Sequence, residues 1–157
     1  MAEKPKRLAI IASKGTLDMA YMPLILATTA TAMDMEAGIF FTFYGLNIIR
    51  KDRQNKLFVG TVGNPAMPMP VPNIIGMLPG MTSMGTMMMK GMMKKGNVAT
   101  LGELLQIAVE TGVRLIGCQM TMDVFGIKRE DMIDGVEFGG AASFLSYAID
   151  ADVSLLV

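Results

Sequence analysis

Histidine is absent from this chain and cysteine occurs once. Without imidazole, His-based metal sites and Ser/His or Cys/His nucleophile pairs are excluded within one chain. A single cysteine excludes an internal disulfide and a CxxC redox pair, and a lone thiol fits a reducing cytoplasm. Charge is scarce and balanced: 18% of residues are charged, with 14 Lys plus Arg against 14 Asp plus Glu. That balance supplies no net field to attract nucleic acid, and it leaves only weak repulsion between copies of the chain. The start MAEKPKR is followed only by LAIIAS before Lys14, so a secretory leader is not expected.

What is present suits one folded unit. The chain has 157 residues, 52% of them hydrophobic, enough for one domain with a proper core. Arg7 to Ser13 is a continuous small and branched apolar run, the pattern of a strand covered on both faces. Lys14-Gly15-Thr16 breaks it, and Asp18 is placed to cap a helix reaching about Glu36, with Pro23 bending or delaying its entry. Gly38 is expected to close that helix, and Ile39 to Phe43 reads as a second buried strand. Strand, helix and covered strand together make a right-handed βαβ unit.

Regular order resumes at Thr100, whose Glu103 three residues on completes a capping box for a helix ending at Gly112. Val113 to Cys118 is the next strand, and Gln119 to Ile127 reads as a connection to a short helix near Lys128 to Met132. A strand at Val136 to Phe138, a Gly139-Gly140 turn, a helix from Ala141 to Ile149 and a strand from Val153 to Val157 complete the chain. Alternation throughout predicts an α/β fold: an open, mostly parallel five-stranded sheet with helices on both faces, flavodoxin-like in general appearance.

Between these halves lies an unusual stretch. No charged residue occurs from Leu57 to Met89; five of the seven prolines fall between Pro65 and Pro79, and ten of the eighteen methionines between Met67 and Met93. NPAMPMPVPN reads as an extended connection. From Ile74 to Met93, methionines 77, 81, 84, 88 and 92 are spaced to share one side of a helix. Residues 62–97 thus look like an insertion into a single domain spanning 1–157. Prolines and glycines interrupt every window long enough to span a bilayer. Methionine fills irregular apolar gaps, but a flexible Met-rich face followed by Lys90, Lys94 and Lys95 also suits docking on a protein, on a second copy, or on lipid through 74–95. Thioethers suit Cu(I), so Met81, Met84 and Met88 form an alternative metal set.

Open parallel sheets form sites at the carboxyl ends of their strands. Three loops qualify: Ser13 to Thr16, Tyr44-Gly45, and the loop that begins at Cys118. Backbone N–H groups of a turn at Thr121-Met122-Asp123 would favour a thiolate, although Asp123 carries an opposing charge. Against this, free cysteine often acts as a small buried hydrophobe. Lys14, Gly15, Thr16, Tyr44, Gln119 and Thr121 are candidate substrate-binding residues on the same rim. SKGTLD contains neither glycine-rich nucleotide pattern.

The stretch GCQMTMDVFGI, Gly117 to Ile127, resembles the cysteine loop of DsrE/DsrF-like proteins, in particular their peroxiredoxin-like or second DsrE-type branch, with its C-x-M-[ST]-M-D-x-x-G-I pattern. SKGTLDMAYMPLILA, FFTFYGLNII and DGVEFGGAASFL resemble further segments of that branch, so the likeness spans nearly the whole chain. It implies a three-layer α/β/α sandwich that assembles into homo-oligomers. It also implies a sulfur carrier or sulfurtransferase role without a cofactor, Cys118 holding persulfide sulfur between a donor such as a rhodanese and a thiol acceptor protein. Thiol peroxidase activity is a weaker alternative, because the P-x-x-x-T-x-x-C pattern of peroxiredoxins is missing before Cys118.

Overall fold

The computed structural model describes residues 4–60 and 73–157. The proline-rich connection at 65–72 therefore lies outside the described residues. Five strands, β1 (Arg7–Ala12), β2 (Glu36–Phe41), β3 (Arg114–Cys118), β4 (Val136–Gly139) and β5 (Val153–Leu156), form one sheet in the order β4-β3-β2-β1-β5. Every neighbouring pair is parallel, so the sheet is wholly rather than mostly parallel.

That order dictates the layers. Three successive steps from β1 to β4 run the same way, and right-handed crossovers put their helices on one face. α1 (Leu17–Ala32), the 3-10 turn Phe43–Ile48, α4 (Leu101–Glu110) and α5 (Gln119–Phe125) pack there. Their Leu24, Ala27, Leu46, Leu105 and Met122 meet Ile10, Ile39, Phe41 and Leu115 of the sheet. The return from β4 to β5 reverses direction and puts α6 (Ala141–Ala148) on the other face, against Ala9, Phe40, Ile116 and Cys118. Phe144 of α6 stacks on Phe40 with centroids 5.0 Å apart. One eight-residue helix covers less than four elements do. Ile149 and Leu156 are 83% and 74% exposed beside an open groove lined by Ile11, Leu145 and Leu155.

Several local expectations change. The cap of α1 is Thr16, not Asp18, and Asp18 instead accepts from Gly60 N–H at 3.3 Å. Pro23 lies inside α1, whose start six residues earlier it does not delay. α1 stops at Ala32 in a turn through Asp34, leaving Gly38 inside β2. Gly38 is needed there because a side chain would lie 2.6 Å from the Tyr147 ring. The Thr100–Glu103 capping box forms as expected.

The methionine region is not one helix. α2 (Asn73–Gly76) and α3 (Met81–Lys95) are separated at Pro79-Gly80, where Gly80 takes a left-handed φ of 89°. α3 buries Gly85 and Thr86, not the methionine stripe; the Thr86 hydroxyl donates to Thr82 O and accepts from Val59 N–H at 3.1 Å. Met77, Met84, Met88 and Met92 are exposed, and Met81 is half-buried.

Candidate functional site

Cys118 ends β3 and caps α5, so the connection expected after it is a helix that begins immediately. Strand alternation decides where its sulfur points. Leu115 faces the four-element side, Ile116 the α6 side, and Cys118 again the α6 side, where it is 3% exposed. The β2–β3 register pairs Phe41 with Gly117, which sets the next residues, Thr42 and Cys118, side by side at the carboxyl edge.

The sulfur sits at the cap of α5 with Thr42 set beside it by the strand register. Burial raises the Cys118 pKa, but hydrogen bonds from the Thr121 hydroxyl and N–H, the Thr42 hydroxyl and the Met120 N–H outweigh it and hold the thiol below its ordinary value. The two N–H groups belong to the first turn of α5, whose unpaired amides favour negative charge. Thr42 Oγ1 and Thr121 Oγ1 are 3.1 Å apart, and Phe43 N–H donates to Thr121 Oγ1 at 3.4 Å. Phe43 has a φ of 47°, a left-handed conformation that costs a bulky residue energy and persists only when surroundings impose it.

Tight glycine contacts help to impose it. A Cβ on Gly15 would lie 2.2 Å from Tyr44 O, and one on Gly45 would lie 2.1 Å from Ala12 O. Gly45 N–H also donates to Ser13 O. The loops after β1 and β2 are thus locked backbone to backbone, and the second carries Thr42. Around the buried sulfur the rim is apolar and open: Phe43, Tyr44, Met120, Val124 and Phe125 are exposed, with Tyr44 stacked on Phe125 at 5.8 Å.

Of the residues expected at the site, the structure buries Thr121 in the first turn of the helix that Cys118 caps. Lys14 is exposed, and among the described residues no ion pair or hydrogen bond ties it to the thiol. Gly15 acts through Tyr44 as a packing contact, and Thr16 is the cap of α1 without a side-chain hydrogen bond. Tyr44 belongs to the outer rim. Gln119 donates to Asp123 at 2.8 Å and accepts from Arg129 at 3.0 Å, which occupies both of its polar ends away from Cys118. Sequence reasoning misses Thr42; its signal is positional, as the first residue beyond a buried strand that pairs with the cysteine strand. Among the described residues no cluster of three or more His, Cys, Asp or Glu side chains is placed to hold a metal ion.

A wholly parallel five-stranded sheet with a lone, thiolate-favouring cysteine at a strand end defines a thiol-bearing α/β class. Sequence comparison narrows it: residues 4–156 match the DsrE/DsrF/DrsH-like family, and the chain belongs to that family. It is 47% identical to the sulfur carrier protein DsrE2 of Allochromatium vinosum, covering 97% of this chain and 98% of that protein. It is 35% identical to the uncharacterized protein YrkE of Bacillus subtilis over the full length of both. Similar solved folds are the ychN protein from E. coli (TM-score 0.53, 14% identity, 97% and 99% of the two chains) and MTH1491 from Methanobacterium thermoautotrophicum, a protein of unknown function (TM-score 0.56, 12% identity, the same coverage).

Proposed function

We propose that this protein carries sulfur as a persulfide on Cys118, taking it from a donor such as a rhodanese and passing it to a thiol acceptor protein. The observation that carries the reading is a buried cysteine sulfur at a strand end, at the cap of α5, with its pKa held below the ordinary value. The 47% identity to a protein named a sulfur carrier supports it. In loading, the Cys118 thiolate attacks the outer sulfur of the donor's persulfide; a new S–S bond forms, the donor's S–S bond breaks, and the donor leaves as a thiolate. Such exchange needs thiolate character rather than a strong general base, so the missing histidine is no obstacle.

The same reading places the chain in the cytoplasm as one domain with 62–97 inserted. Among the described residues no helix is long and apolar enough to cross a membrane. The thinly covered α6/β5 face supports self-association into a homo-oligomer. The exposed methionines of α3, flanked by Lys90, Lys94 and Lys95, support a docking surface for a partner or for lipid. Incubation with thiosulfate, polysulfide or a persulfide-loaded rhodanese, then intact mass measurement, tests the carrier role. Gain of one sulfur, reversed by reductant and missing in Cys118→Ser, is expected; no gain from any donor sinks the reading.

A further inference from the structure

We propose that Thr42 and Thr121 form a hydroxyl pair that makes Cys118 a good leaving group, so that they chiefly serve the release of carried sulfur to the acceptor. The inference rests on the carrier reading and assigns a direction to it.

The observation behind it is where these hydroxyls turn. Helical threonines commonly donate back to a carbonyl three or four residues earlier; among the described residues Thr28, Thr29, Thr31 and Thr86 do so, as does Thr111 at the end of α4. Thr121 has a place in α5 but makes no such bond. Only 2% exposed, its hydroxyl meets Thr42 in the first turn of the helix that Cys118 caps. Phe43 N–H donates to its oxygen, so one lone pair is occupied and the hydroxyl proton is left for Cys118 or Thr42. Thr42 Oγ1 stands in the same relation to both, 3.1 Å from its neighbour. One proton of the pair bridges the two oxygens, which leaves one hydroxyl and the first amides of α5 for a neighbouring acceptor, and a sulfur anion matches them best.

The charge on that sulfur changes through the cycle. In the unloaded protein negative charge on Cys118 Sγ is favoured by the hydroxyl pair and the first amides of α5. In the loaded protein Sγ is a neutral divalent sulfur, a weak acceptor, and ionisable charge has moved to the outer sulfur. During release the acceptor's thiolate attacks the outer sulfur and a new S–S bond forms. The Sγ–S bond breaks and its electron pair returns to Sγ, while the hydrogen stays with the transferred sulfur. One anion enters and one leaves, with no external oxidant or reductant. The donors therefore meet growing negative charge on Sγ in the transition state of release. A leaving thiol of lower pKa departs faster. In loading the same hydrogen bonds act against the attack, because nucleophilicity falls as pKa falls and partly cancels the gain in thiolate fraction.

The test uses the full-length protein with Thr42→Val, Thr121→Val and Thr121→Ser. Titration of the unloaded protein by thiolate absorbance, with Cys118→Ser subtracted, should show the valine variants shifted upward by about one pH unit or more, the loss of one hydrogen bond to a charged group. Release, measured as thiocyanate formed when persulfide-loaded protein meets cyanide, should slow several-fold in both. Loading by polysulfide, compared at a pH where Cys118 is ionised in every variant, should be unchanged or faster. Thr121→Ser keeps the hydroxyl and should restore titration and release together, which a purely structural loss would not do. Wild-type titration or wild-type release in the valine variants overturns the inference, as does loading that slows in parallel with release. Failure of the wild type to take sulfur from any donor would instead overturn the carrier reading, a result the titration does not share.

Discussion

Gly45→Ala tests whether backbone locking behind the site sets the thiol. Gly45 is buried, and an added Cβ would lie 2.1 Å from Ala12 O and 2.8 Å from Ala12 C. Side-chain carbons essentially never come inside 3.0 Å of a neighbour, so one backbone must retreat by about 0.9 Å. Both partners are main chain, of β1 and of the loop after β2, and neither has a rotamer to give. Overpacking of this kind costs about 1–3 kcal/mol, and the absence of a flexible neighbour puts it at the upper end. For a domain of this size about 3 kcal/mol lowers Tm by roughly 6–12 °C. The retreating loop carries Thr42, and an outward shift stretches its 3.1 Å contact with Thr121 beyond hydrogen-bonding range. Gly45→Ala should therefore melt early and also raise the Cys118 pKa, read by thermal denaturation and thiolate titration. Gly91→Ala is the control: a Cβ there meets nothing within 4 Å. Inside α3 it should be neutral or add about 0.5–1 kcal/mol. A Gly45→Ala protein with wild-type melting and wild-type titration would refute the reasoning.

The depressed Cys118 pKa fixes a sign for stability against pH. A folded pKa below the unfolded value of about 8.5 gives stability that is fully present above that value and lost as pH falls through the folded pKa. Urea unfolding should then show the advantage of wild type over Cys118→Ser growing as pH rises toward about 9; a flat or shrinking difference contradicts it. Thr86→Val removes the acceptor for the buried Val59 N–H and should cost about 1–3 kcal/mol, with hydrogen exchange rising first at Val59. An unchanged melt would mean α3 is not anchored by that bond. Leu156→Lys places a charge on the open α6/β5 groove and should shift the protein to smaller species in light scattering; a wild type already monomeric removes the basis for that expectation.

The sheet was legible because its strands are short apolar runs bounded by breakers, and two-sided burial leaves no other reading of Arg7 to Ser13 or Val113 to Cys118. Capping at Thr100 was legible because both partners lie within four residues. Failures came where a distant contact decided. Gly38 looks like a helix stop until Tyr147, over a hundred residues later, claims the space beside it. Asp18 looks like a cap, yet it serves Gly60 N–H. The methionine spacing defines a stripe but not its direction, since methionine tolerates either side; the small Gly85 and Thr86 settle it by letting α3 approach. Cys118 was legible as a strand end. Its hydroxyl partners were half legible: Thr121 is close in sequence, but Thr42 enters only through the β2–β3 register, which no local pattern states.

The strand order joins the thiol to the thin face. Three same-direction crossovers put four packing elements on one side, and the single reversal leaves the other to α6. Cys118 lies on that lightly covered side by strand parity, three residues beyond Leu115 in the opposite core. A shift of register by one residue would turn its sulfur toward the larger core, beside Leu46, Val136 and Phe138, and burial there would raise its pKa. The carboxyl edge supplies the amides of α5 and the hydroxyl of Thr42 only to a side chain of the observed parity. Thiolate character here thus stems from topology and register as much as from the cysteine itself. It also explains why the β1/β5 crevice, the usual ligand position in such sheets, is not where the sulfur sits: Ser13 N–H and hydroxyl both donate to Val157 O across it.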